Sequence, residues 1–533
     1  MAAAAEKIPQ TLADVDAAVA DRPSLLGPAL MTFSEHRDSY IRSKKTMLPW
    51  PGWQVLSLIP VTDHLRRRLG GHWSYDRVPG TWSEQLFAAV DDCVTGLWLS
   101  RAGNTVGAAL VARTLLERWT LNVAHHHGIE RDDDEEESAF MSRTWNVYAE
   151  SGVADNVGEW WNWLSELLHG RAGQDAFGTA GSTAIAMDPA DNLGLQRGVV
   201  SVLELVLRQI RGGLTLLAQD AGLGQFGNAL QTIDPGLPRF EEPPIVGAAM
   251  RDLDFFECMS LRARSWVVVA RDYRATVEKP DHRLDSRTSF VLTVEAFLER
   301  RGRAVERARH AFDVERAGEG DAFDPGHLAA KLFRFASISE MARLLAAEAS
   351  GPERDALIVA AEAQRAATHL WLEDSDYSVG CLRVLLEQTA RLRVHRRRPD
   401  KAEVLEGRRS SPSRWLEAAG WKRLSPFVRA MNEFAHLTLR TRRNGAREVL
   451  TEMQMNGARV ETSRGSALHE VTYMFAFELH ARLQMTRPGL ASIFTEWITL
   501  VDEEAHERRL EAFLDVGHSH RSRDFGEPDY VAP

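Results

Sequence analysis

The chain has 533 residues, a formal net charge of −11, and 44% hydrophobic and 26% charged residues, the profile of a globular protein with room for two or three cored domains. Its three cysteines, Cys93, Cys258 and Cys381, lie far apart and form no Cys-x-x-Cys pair, which argues against a disulfide scaffold or a cysteine zinc site and fits a reducing cytosol. No uncharged apolar run approaches the ~18 residues of a membrane span, and the N-terminus has no signal-peptide core, so the expectation is a soluble cytoplasmic protein without membrane contact.

In chain order, residues 1–82 read as a helical extension, with a short helix in the first 30 residues and another over 54–69 that ends at Gly70-Gly71. Thr81-Trp-Ser-Glu84 is a capping box for a helix to about Ser100. Asn104 caps the next helix, 105–125, in which Val106, Leu110, Leu116 and Val123 recur at helical spacing; His125-His-His-Gly128 closes it, with Gly128 as C-cap. The acidic run Asp132 to Glu137 leads into a helix at 138–151. Asp155 caps 156–169, whose Trp160, Trp161 and Trp163 read as core and interface.

Leu193–Ala221 is an amphipathic helix, and Pro235, Pro238, Pro243 and Pro244 mark a linker over 230–247. Ser265 to Ala270 is a strand or a buried helix segment. Helices follow at 288–316, 325–349 and 353–373; Pro399 stops the basic run Arg391 to Arg398, and Pro426 stands near the start of a helix within 411–443. Helices near 466–485 and 488–512 and a polar tail from 516 complete a mainly α fold, since period-two alternation is nearly absent.

Two stretches occur twice. Arg113-Thr-Leu-Leu-Glu117 precedes Ser165-Glu-Leu-Leu-His169, and Arg383-Val-Leu-Leu-Glu387 precedes Asn432-Glu-Phe-Ala-His436; Glu to His is 52 positions in one case and 49 in the other. A Leu-Trp-Leu segment and a Val-Gly pair (Val106-Gly107, Val379-Gly380) stand before each Arg-x-x-x-Glu run. The pattern predicts an internal duplication, two related helical-bundle halves with cores near 83–218 and 357–486. The domains expected are repeat 1 at 83–229, the linker, a connecting helical region at 248–352, and repeat 2 at 353–515.

The halves differ in charge. Gly380 to Gly445 carries 16 Lys and Arg against 6 Asp and Glu, whereas 107–178 carries 5 against 13. The basic stretch can hold nucleic-acid phosphate, or can face the acidic copy, or can be a solvated surface. Residues three, four and seven apart share a helix face, which aligns Arg429, Asn432 or Glu433, His436 and Arg440; repeat 1 has Asn162, Ser165 or Glu166, His169 and Gly173 there. Each Arg-x-x-x-Glu run can close as an i, i+4 ion pair on its own helix.

Leu110 to Glu117 followed by Trp163 to Gly170 resembles a bacterial helical domain of unknown function, in which an Arg-x-Leu-Leu-Glu helix precedes a Leu-Ser-x-x-x-His-Gly one. It also resembles the wider HEPN superfamily of helical domains in abortive-infection and toxin proteins, whose ribonucleases share an Arg-x4–6-His motif; Arg429 to His436 fits it with six intervening residues. In repeat 1 Asn162 replaces the arginine. The resemblance implies a nucleic-acid-directed protein, a metal-independent ribonuclease of phage defence or a toxin, using no cofactor. His436 would serve as general base or acid, Arg429 would stabilise the phosphorane, Asn432 would orient the histidine, and Glu387 with Arg383 would support it. His169 and Glu117 would line the same cleft. RNA at the basic second half is the partner implied.

Two other classes stay open. Glu117, Glu166-x-x-His169, Glu387 and Glu433-x-x-His436 are the ligand types of a ferritin-like di-iron bundle. A duplicated helical domain with unlike faces also suits a non-catalytic sensor or scaffold for a protein or nucleic-acid partner. No P-loop, Rossmann fingerprint, nucleophile elbow or zincin motif is present.

Overall fold

The computed structural model describes residues 11–27, 29–30, 82–101, 104–132, 134–147, 157–169, 193–224, 325–372, 375–408, 410–435, 446, 449–450, 463–498, 508, 510–512 and 514–515. The protein is mainly α: among the described residues there are helices and no strand. The linker 230–247, Ser265 to Ala270 and the helix expected at 288–316 lie outside them, as do Thr81 and Asp155 with their caps.

The helices run in the order Leu12–Val19 (α1), Trp82–Arg101 (α2), Thr105–His127 (α3), Glu137–Trp145 (α4), Val157–Leu168 (α5) and Leu193–Asp220 (α6), of which α2 to α6 form the first bundle. The order continues with Pro325–Glu348 (α7), Gly351–Leu372 (α8), Tyr377–Arg397 (α9), Pro399–Gly407 (α10), Pro412–Ala418 (α11), Ser425–Ala435 (α12), Ser463–Thr486 (α13) and Pro488–Ile498 (α14). Helix α3 packs on α2, α4, α5 and α6, while α9 packs on α8, α10, α11, α12 and α13. Helix α7 packs on α8 and α13, and α1 on α7 and α14, so α1 and the end of the connecting region are built into the second bundle. The same backbone bond is made after α2 and after α8: Asn104 N–H to the Leu99 carbonyl and Ser375 N–H to the Leu370 carbonyl, each at 2.9 Å.

Local chemistry explains the ends. The Asn104 side chain accepts from Gly107 N–H at 2.8 Å, and α3 stops where Gly128 adopts φ +63°, a left-handed residue that glycine takes without the Cβ penalty. Pro399 does more than end a helix. It opens α10 at once, at a first-turn position where its missing N–H costs nothing. Helix α4 ends at Trp145, short of the expected 151, and Trp145 Nε1–H donates to Thr120 Oγ1 at 2.8 Å, pinning α4 to α3.

Helices α3 and α9 are buried round nearly their whole circumference, the property of a central helix rather than an amphipathic surface one. They touch each other, and α3 also touches α8. The glycine of each Val-Gly pair marks a close approach. A Cβ on Gly107 would stand 2.8 Å from Ala366 Cβ, and one on Gly380 3.0 Å from Leu110 Cδ2 and 3.4 Å from Ala435 Cα. Across the same contact Asn104 Nδ2 donates to the Glu362 carbonyl at 3.2 Å, and the Thr114 hydroxyl to the Ala435 carbonyl at 2.8 Å. The bundles thus share one continuous apolar core.

Candidate functional site

Where α3 and α9 meet, the two Arg-x-x-x-Glu runs come together, and they behave differently. Arg113 and Glu117 close on their own helix at 3.1 Å, as the i, i+4 spacing predicts. Glu117 Oε1 also accepts from Trp161 Nε1–H at 2.7 Å, and the Arg113 guanidinium stands 5.4 Å from the Trp161 ring centre. Trp161 lies two helical turns before His169, on one face of α5, so the spacing carried a signal that the apolar reading of the tryptophans missed.

The second run does not close. Glu387 is turned to the other bundle, with Oε1 at 2.9 Å and Oε2 at 3.1 Å from Nδ1 of His169, just past the end of α5. The expected Arg383–Glu387 pair is therefore absent among the described residues, because the carboxylate is engaged by a histidine 218 positions away. The Arg383 Nε is buried without a hydrogen-bond partner, and so is the Arg113 Nε. Burial pulls the Arg383 guanidinium below its ordinary pKa; the nearby Glu387 and Glu117 carboxylates oppose the shift and Arg113 adds to it.

With Glu387 ionised, the carboxylate accepts from Nδ1–H of His169, and Nε2 is the ring nitrogen left over. The histidine is 15% exposed and the carboxylate 5%, a site partly open on the imidazole side. The His169 carbonyl accepts from Arg391 at 3.5 Å. Arg391 forms a fork with Glu406 Oε1 and Oε2, and His395 Nε2 also reaches Glu406, at 3.0 Å. Burial would raise the Glu406 carboxyl, but hydrogen bonds from His395 and Arg391 and their charges outweigh it and hold it low. Arg383, Glu387 and Arg391 form one i, i+4, i+8 stripe, a pattern visible in the sequence but read there only as far as Glu387.

The other sequence-derived residues are placed in part. Arg429 is exposed on α12, Asn432 is half-buried and Glu433 buried. His436 and Arg440 lie outside the described residues, although Ala435, directly before His436, is held against α3 by Thr114. Glu166 is half-buried on α5. Among the described residues no three of His, Cys, Asp and Glu gather as metal ligands do, and Glu117 and Glu387 of the di-iron set hold Trp161 with Arg113 and His169 respectively. Burial pushes the Cys93 and Cys381 thiols up, which keeps them as thiols.

Part of the basic stretch is turned inward and part is exposed: Arg391 and Arg393 are buried, whereas Arg397, Arg398, Lys401, Arg408, Arg414, Lys422 and Arg429 are exposed. Arg393 and Arg396 both bond to buried Glu478, joined by Arg482; Arg398 donates to the Ala418 carbonyl, Lys422 pairs with Glu417, and Arg423 with Glu511 and Asp515. The excess of arginine in 380–445 thus answers carboxylates supplied from outside that stretch as well as within it.

Family models, curated proteins and solved structures all fail to match this chain. No helix among the described residues is long and apolar enough to cross a membrane.

Proposed function

We propose that this is a HEPN-like, nucleic-acid-directed protein that cleaves RNA without a metal, in a cleft between two halves descended from one duplicated helical unit. The observation that carries the reading is the His169–Glu387 pair, an imidazole fixed by a carboxylate from the opposite bundle. In this reading His169 Nε2 takes the proton from a ribose 2′-hydroxyl as that oxygen attacks phosphorus. The 5′-oxygen leaves with a proton from a second acid, the role assigned to His436, giving a 2′,3′-cyclic phosphate and a 5′-hydroxyl. Glu387 keeps the imidazole in the reactive tautomer and stabilises the imidazolium. Arg429, exposed on α12 and seven residues before His436, would meet the developing charge.

The test is cleavage of a labelled single-stranded RNA in chelator by wild type, His169→Ala, Glu387→Gln and His436→Ala, with folding checked by circular dichroism. Loss of about 10²–10⁴-fold in each variant is expected for general acid–base groups. Cleavage equal to wild type in His169→Ala, or no cleavage by wild type of any RNA offered, defeats the reading.

A second reading, a non-catalytic scaffold, draws support from the inward pairing of Arg393 and Arg396 with Glu478, which withdraws those two cations from any nucleic-acid surface. It expects no cleavage by wild type and a loss of stability, rather than of any activity, in Glu387→Gln.

A further inference from the structure

Among the described residues Arg383 has carboxylates nearby but makes no ion pair or hydrogen bond with them. Its two nearest carboxylates are engaged, Glu117 by Arg113 and Trp161, and Glu387 by His169. Its Nε is buried and unpartnered, and the neighbouring Arg113 Nε is in the same condition. A buried donor left without an acceptor is costly, and a ligand that supplies acceptor oxygens to the same guanidinium offsets that cost. The residue as a whole keeps partial exposure, so the remainder of its guanidinium is reachable from outside. The missing partner must bring acceptor oxygens to a planar donor fork, beside an imidazole whose free nitrogen belongs to the same cluster.

We infer that Arg383, with Arg113 behind it, is a phosphate-binding site adjoining His169, and that it holds the phosphate group on which the histidine acts. The choice of phosphate among oxyanions rests on the ribonuclease reading; the unsatisfied donors of Arg383 and Arg113 do not. Arg383 lies outside the Arg-x6-His motif and is carried by α9, so it is a separate contact from Arg429. Its loss would weaken substrate binding as well as turnover.

The experiment measures inorganic phosphate binding, in the absence of RNA, by calorimetry and by the phosphate-dependent rise in melting temperature. Wild type should bind phosphate, while Arg383→Met should bind it about tenfold or more weakly, as expected when hydrogen bonds to a charged group are lost. In phosphate-free buffer Arg383→Met should melt at or above the wild-type temperature, because an unpaired buried charge has been replaced by an apolar chain of similar length. Should that variant not fold, Arg383→Lys serves instead, keeping the charge but losing the fork, again with weaker binding. Unchanged phosphate affinity in the folded variant, or no phosphate binding by wild type, overturns the assignment. Competition by a 2′-O-methyl oligoribonucleotide places a backbone phosphodiester in the site; phosphate binding without that competition keeps the site and makes its ligand a small phosphate. Phosphate binding that needs Arg383 in a protein that cleaves no RNA leaves this inference standing while the ribonuclease reading falls.

Discussion

Glu387 presents both carboxylate oxygens to Nδ1 of His169, at 2.9 and 3.1 Å, although the two residues belong to different bundles. This contact makes Glu387→Gln a sharp probe. The amide can accept from Nδ1–H but cannot stabilise an imidazolium, so the variant should fold and lose about 10²-fold or more in RNA cleavage. Nitrogen-15 spectra of the imidazole should show the wild-type ring predominantly protonated at Nδ1 when neutral, and a mixed tautomer in the variant. A wild-type ring protonated at Nε2 would remove the proposed role.

Glu478 is buried among Arg393, Arg396 and Arg482. Burial alone would raise its carboxyl, but the Arg396 hydrogen bond and the three guanidinium charges outweigh it and hold the pKa below the ordinary 4.5. A depressed folded value contributes stability that is complete above the ordinary carboxylate range and is lost as pH falls through the folded pKa. Glu478→Gln should therefore cost about 3–5 kcal/mol near neutrality, and the gap from wild type in urea midpoint should narrow on acidification below 4.5. A gap that stays constant from neutrality into strong acid would contradict this.

Thr114→Val removes the hydroxyl that bonds the Ala435 carbonyl while keeping the shape of the side chain. The expected cost is about 1–2 kcal/mol, read as a lower melting temperature. Amide exchange should quicken in α12 more than in α6, since α12 carries the carbonyl that loses its partner.

Gly158, in the first turn of α5, lies so close to α4 that an added Cβ would stand 2.5 Å from Ser138 Cβ and 3.0 Å from the Ser138 backbone. Alanine would improve helix propensity, yet Gly158→Ala should destabilise by about 1–3 kcal/mol, since backbone must move. Because α5 carries Trp161 and leads into His169, RNA cleavage should fall as well. A more stable variant would show that the α4–α5 contact yields freely.

The helices were legible because their signals are local. Asn104, Gly128, Pro426 and the apolar face of Leu193–Asp220 each act within a turn or two of their own position. The site was legible only as an inventory. The sequence pattern marks Arg383 and Glu387 as a pair, and what parts them is His169 arriving from another helix, an event that no local spacing encodes. The charge count of 380–445 likewise records the arginines but not their partners; Glu478 stands 85 positions from Arg393. The role of His436 was read from its register with Arg429, and that residue lies outside the described structure. The matched runs and turn bonds are what a duplication predicts, and one ancestry for both halves remains part of the proposal.

The separation of His169 from Glu387 along the chain also governs when the dyad can exist during synthesis. A nascent chain emerges from the ribosome with His169 long before Glu387, and with Arg391 still later. Until α9 has been made and packed on α3, the imidazole has no carboxylate to set its tautomer, and Arg383 has not been translated. On the ribonuclease reading, chemistry that needs the dyad therefore waits until the second bundle has been made, and a chain broken within the first half lacks it altogether.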